Sequence, residues 1–93
     1  MFEVNEYFDG NVKSIAFENT GGSATIGVMA PGEYEFGTST VEHMTVISGV
    51  LTVLLPGESG WKDYKEGDSF IVKKDTTFKL MVKEPTAYRC IYK

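Results

Sequence analysis

The 93-residue chain is predicted to be an all-β protein, one domain folded as a double-sheet jelly-roll β-barrel. Three observations carry this expectation. No stretch repeats apolar residues at spacings of three and four, the mark of an amphipathic helix. Short runs of β-branched and aromatic residues recur along the whole chain instead. Turn signals, most of them carrying Gly or Pro, separate these runs, and seven or eight short strands so spaced suit two sheets folded over one another.

In order, strands are expected at Val12 to Glu18, Ser23 to Ala30, Glu33 to Thr38, Met44 to Leu55, Ser69 to Lys73, Thr77 to Lys83 and Thr86 to Tyr92. The intervening turns are Thr20-Gly21-Gly22, Pro31-Gly32, Pro56-Gly57-Glu58-Ser59-Gly60 and Lys74-Asp75-Thr76. Gly reaches positive φ there without a Cβ clash, and Pro presets the first turn dihedral. The clearest alternation sets Phe78, Leu80 and Val82 against Lys79, Met81 and Lys83, one face inward and one into water. Val46, Ile47, Val50, Leu51, Val53, Leu54 and Leu55 load both faces of the Met44 to Leu55 segment. That suits a strand whose back packs on a second sheet or a second subunit, so a homodimer is expected.

Composition narrows the partners. The chain is 42% hydrophobic and 24% charged with ten glycines, which favours turns over disorder. A net charge of -4 gives no long-range attraction for nucleic acid or anionic lipid, and Lys73-Lys74 is the one adjacent basic pair. Neither nucleic acid nor membrane is an expected partner, and no apolar stretch is long enough to span a bilayer. One cysteine, Cys90, and an acidic N-terminus without a basic region and apolar run place the chain in the cytoplasm by expectation. Cys90 itself reads as a small buried core residue.

A motif then points to a fold family. Cupins carry two segments, G-x5-H-x-H-x3-E-x6-G and G-x5-P-x-G-x2-H-x3-N, whose His and Glu side chains bind a metal inside the barrel. Here Glu42 is followed after six residues by Gly49, and a second segment opens at Gly67-Asp68. The registers place the family histidines at Phe36, Thr38 and Phe78, and Ala30, Lys73, Asp75 and Val82 stand at the other motif positions. Phenylalanine cannot donate an electron pair to a metal, and the one histidine, His43, has the opposite strand parity to Glu42. No metal and no other cofactor is expected. The skeleton therefore resembles a cupin whose pocket has apolar walls at Phe36, Met44 and Phe78 and polar groups at Thr38 and Glu42, a composition suited to an organic ligand. Glu42 in an apolar wall reads either as a functional carboxylate or as one held by a buried hydrogen bond that fixes the fold.

Three stretches narrow the resemblance further: Asn5 to Ile15 (NEYFDGNVKSI), Met44 to Leu51 with Leu54-Leu55-Pro56, and Glu84 to Tyr88 (EPTAY). Together with the length, they are similar to the short cupins of the pyrimidine/purine nucleoside phosphorylase family. The resemblance implies a cytoplasmic dimeric enzyme of broad specificity that cleaves nucleosides with inorganic phosphate to free base and ribose 1-phosphate.

Phosphorolysis of an N-glycosidic bond passes through an oxocarbenium-like sugar, so a site must orient ribose hydroxyls, hold an anion and stabilise separated charge. Glu42 is the candidate acceptor for the ribose 2' and 3' hydroxyls and the charge partner of the cationic sugar. Thr38 is the candidate hydroxyl donor to phosphate. Lys13 or Arg89 is the candidate phosphate cation, acting within the chain or across a dimer. Arg89 has the opposite parity to Tyr88, Cys90 and Tyr92, so only one of these sets can face the pocket. Phe36, Met44 and Phe78 are candidates to hold the base, with Tyr7, Tyr34 and Tyr88 as further stacking or hydrogen-bonding groups. Apolar contact discriminates weakly among bases, hence the expected breadth. The competing readings are a metal-free cupin that binds a small molecule without catalysis and, disfavoured by Phe36, Thr38 and Phe78, a metal-dependent cupin enzyme.

Overall fold

The computed structural model describes residues 1–93 and contains ten strands and no helix. They are β1 (Glu3–Tyr7), β2 (Val12–Asn19), β3 (Gly22–Met29), β4 (Gly32–Gly37), β5 (Glu42–Ser48), β6 (Val50–Leu54), β7 (Lys62–Lys65), β8 (Ser69–Val72), β9 (Thr77–Val82) and β10 (Thr86–Tyr92). A six-stranded sheet runs in the order β1-β2-β3-β10-β5-β8 and a four-stranded sheet in the order β4-β9-β6-β7. Every pairing is antiparallel. No strand belongs to both sheets, so the barrel is a two-layer jelly roll and not one continuous closed sheet.

The core lies between the layers. Val12, Met29, Met44, Val46, Phe70, Val72, Tyr88 and Cys90 come from the six-stranded sheet, and Tyr34, Leu51, Val53, Phe78, Leu80 and Val82 from the other. β9 alternates as its sequence dictates: Phe78, Leu80 and Val82 are buried, while Lys79 lies in solvent.

The expected single strand from Met44 to Leu55 is corrected. Gly49, at φ 96°, breaks it into β5 and β6, which lie in different sheets. At this corner the inward parity switches, from Met44 and Val46 to Leu51 and Val53. The run of apolar residues on both faces therefore serves one interior from two sheets. Ile47 remains on the outside. Only glycine suits the corner: its φ is left-handed and a Cβ there would come within 2.5 Å of Thr86 Oγ1. Thr86, fully buried, accepts from the Val50 amide at 3.3 Å and donates to the Glu84 carbonyl at 2.9 Å.

Two strands lay outside the expected set. β1 has a mostly exposed, charged edge-strand sequence, and β7 is four residues long with one half-buried side chain, so neither carries an apolar period. The turn after β1 is functionally placed. Phe8 and Asp9 sit at φ 54° and 57°, an unfavourable region for an aromatic residue. Phe8 packs there on Tyr34 and Phe36 at ring separations of 5.0 and 5.5 Å, and Tyr7 meets Phe36 edge-on at 5.9 Å. This aromatic cluster ties the outermost strand of one sheet to the outermost strand of the other and closes one side of the interior.

Candidate functional site

A cavity of about 210 Å³ opens between the sheets. Its larger wall is the inner face of the six-stranded sheet: Tyr7 from β1, Ser14 from β2, Met29 from β3, Glu42 and Met44 from β5, and Tyr88, Cys90 and Tyr92 from β10. Facing it are Phe36 and Gly37 of β4 and Phe78 of β9. The volume is below the range of about 300–1,000 Å³ usual for drug-sized sites, so the space suits a compact ligand.

Cross-strand register builds this wall. Ser14, Gly27 and Tyr88 stand side by side on β2, β3 and β10, and Cys90 and Tyr92 stand opposite Met44 and Glu42 on β5. Gly27 makes room for Tyr88: a Cβ at this position would lie 2.6 Å from the phenol ring. The ring thus lies over β3 at Gly27, whose neighbour on β2 is Ser14. Tyr92 shares a hydrogen bond with Thr25 at 3.1 Å, and the Cys90 thiol donates to Glu42 Oε1 at 3.5 Å.

Glu42 is the one charged side chain lining the cavity. Burial raises its pKa above the ordinary 4.5, and the thiol hydrogen bond partly offsets the rise. Burial likewise pushes the Tyr88 phenol and the Cys90 thiol up to about 12, the latter aided by the neighbouring carboxylate. Tyr92 is also raised by burial. These groups are therefore neutral donors at physiological pH, surrounding a single carboxylate.

The sequence candidates divide by geometry. Glu42, Phe36, Met44, Phe78, Tyr7 and Tyr88 line the cavity. Four others do not. Thr38 is corrected as a pocket group: its hydroxyl donates to the Lys73 carbonyl at 2.6 Å and accepts from the Thr76 amide at 3.1 Å, pinning the end of β4 to the turn before β9. β4 ends at Gly37, one residue before the motif register would need it to continue. Tyr34 is buried with its hydroxyl on the Ala30 carbonyl at 2.6 Å, away from the cavity lining. Lys13 lies on the outer face of β2, 3.6 Å from Glu6. Arg89 points outward from β10, toward Thr45 at 3.4 Å. Of the two sets on β10, the Tyr88, Cys90 and Tyr92 set faces inward.

Sequence reasoning missed Ser14, Met29, Cys90 and Tyr92 as lining groups and Gly27 as the seat of Tyr88. The parity of Tyr88, Cys90 and Tyr92 was the available signal for Tyr92. Nothing local marks Ser14 or Gly27, because their roles arise from register between strands distant in sequence. No group of three or more His, Cys, Asp or Glu side chains is assembled to hold a metal ion. Phe36 and Phe78 occupy cavity positions where the cupin motif has histidines.

A two-sheet jelly roll with a cavity between its sheets defines the class: a cupin-fold protein with a carboxylate among neutral donors. A solved RmlC-like cupin from Shewanella frigidimarina shares the fold, with a TM-score of 0.75 over 96% of this chain and 80% of that one, at 20% identity. The chain belongs to the pyrimidine/purine nucleoside phosphorylase family, whose model matches residues 2–92. Relatives named pyrimidine/purine nucleoside phosphorylase include one from Pseudomonas putida, 61% identical over all of this chain and 99% of its own length. Another, from Pseudomonas aeruginosa, is 59% identical over the whole of both chains. A solved protein of unknown function from Vibrio parahaemolyticus is 47% identical, with a TM-score of 0.93 over 97% of this chain and 96% of that one.

Proposed function

We propose that this protein is a broad-specificity nucleoside phosphorylase that cleaves purine and pyrimidine nucleosides with phosphate, yielding free base and ribose 1-phosphate. The C1'–N bond breaks with its electron pair leaving on the base, and a phosphate oxygen forms the new C1'–O bond. The family supports this reaction, and the observation that carries it to particular residues is Glu42, a lone carboxylate in the cavity. Ionised Glu42 accepts hydrogen bonds from the ribose hydroxyls and stabilises the cationic sugar as the base departs. Phe36, Met44 and Phe78 hold the base by apolar contact, which tolerates both base classes. Ser14, Tyr88 and Tyr92 supply neutral donors for phosphate, because Lys13 and Arg89 point away from the cavity.

The reading extends to assembly and location. Ile15, Ile26, Val28, Ile47 and Ile71 are 38 to 57% exposed and share the outer face of the six-stranded sheet with Arg89 and Lys13. Such an apolar face suits a homodimer interface. The enzyme works in the cytoplasm on small molecules and engages neither nucleic acid nor membrane; its net charge of -4 and its single thiol agree with this.

The test is to incubate purified protein with uridine, and separately adenosine, with and without phosphate, following base and ribose 1-phosphate. Both products are expected, and only when phosphate is present. A ligand-induced rise in Tm with no product from any nucleoside would replace the enzyme by a binding module.

A further inference from the structure

Glu42 is held from one side only. Its Oε1 takes the Cys90 thiol at 3.5 Å. Tyr92, two residues along β10, shares a hydrogen bond with Thr25 at 3.1 Å. Cys90 stands opposite Met44 on β5 and beside Thr25 on β3, so the strands on either side fix the place of its thiol. An ionised carboxylate only accepts, so in this pair the thiol donates to Glu42.

We infer that Cys90 is a positioning residue, whose thiol orients Glu42 and holds it ionised for the ribose hydroxyls. This inference rests on the phosphorylase reading for its consequence in catalysis. A thiol suits the task because it is a weak donor. It steers one oxygen yet leaves the carboxylate basic enough to accept strongly from substrate, where a hydroxyl at hydrogen-bonding distance would compete more.

The titratable groups facing Glu42 are Cys90, Tyr88 and Tyr92 from β10 and Tyr7 from β1; β4 and β9 present Phe36 and Phe78, and no basic group lines the cavity. Removing the thiol therefore leaves burial unopposed, and the Glu42 pKa moves further up.

The experiment pairs C90A with C90S and uses two readouts on the full chain. One is the pH profile of kcat/KM for uridine phosphorolysis, and the other is the carbon-13 NMR titration of the Glu42 carboxyl, which needs no activity. In C90A the acid limb of the profile and the NMR midpoint are expected to move together to higher pH, with at least a fivefold loss of kcat/KM at neutral pH. C90S, which retains a donor, is expected to return the midpoint to the wild-type value or below it. An NMR midpoint unchanged in C90A overturns the inference whatever the activity does. A shifted midpoint in a protein with no phosphorolysis removes the phosphorylase reading and leaves the coupling of Cys90 to Glu42 standing.

Discussion

The inner and outer faces of β5 and β10 differ in kind although they belong to the same strands. Inward stand Glu42, Met44, Tyr88, Cys90 and Tyr92; outward stand His43, Thr45, Arg89 and Ile91. All fixed positive charge on these strands is outside, and the single carboxylate is inside. Alternation along a strand enforces the split, since neighbours in sequence point to opposite sides of a sheet. The inside is a place where one anion meets neutral donors in a partly desolvated setting, which favours a ligand that develops positive charge. The outside is an apolar field dotted with cations, suited to contact and not to chemistry.

The sharpest way to break this contrast is to neutralise the inside. E42Q keeps shape and removes charge, and turnover is expected to fall at least tenfold, measured as kcat at saturating uridine and phosphate. Unchanged turnover would remove Glu42 from the site. The same substitution has an opposite effect on stability. Burial raises the Glu42 pKa in the fold above its unfolded value, so its contribution to stability is full below about 4.5 and is lost as pH rises through the folded value. E42Q is thus expected to melt above the wild type at neutral pH, with the gap closing in acid. For the wild type, kcat/KM is expected to fall as pH drops through the raised Glu42 pKa.

Next in size is the seat of the inner wall. In G27A the new methyl would overlap the Tyr88 ring, displacing it into the cavity. A loss of about 1–3 kcal/mol in urea unfolding and a several-fold drop in kcat/KM are expected together. Thr38, which faces neither side of the cavity, separates stability from activity. T38V removes both the donation to the Lys73 carbonyl and the acceptor of the Thr76 amide and should cost about 1–3 kcal/mol, with kcat/KM within twofold of wild type. The smallest effect is expected outside: R89A should change kcat/KM by less than twofold. A tenfold loss there would show that the outer cation reaches a site across a subunit contact.

Much of this contrast was legible in the sequence. The alternation of Phe78, Leu80 and Val82 set the buried face of β9, and parity alone separated Arg89 from Tyr88, Cys90 and Tyr92. The spacing from Glu42 to Gly49 located the carboxylate and the corner glycine, although not that Gly49 would send the strand into a second sheet. Motif register failed at Thr38 because it counts residues and cannot see that β4 stops at Gly37, where the chain turns to meet Lys73 and Thr76. Ser14 and Gly27 were beyond reach for a different reason. Their roles depend on the β2-β3-β10 register, which is set by long-range pairing and leaves no local period.

The most direct measurement of where the chemistry resides is a crystal structure of the protein with ribose 1-phosphate and a nucleobase. The expected result is ribose in the cavity with a 2' or 3' hydroxyl within hydrogen-bond distance of Glu42 and the base between Phe36 and Phe78. Ligand seated on the outer face against Arg89 or Lys13, with the cavity holding none, would contradict it.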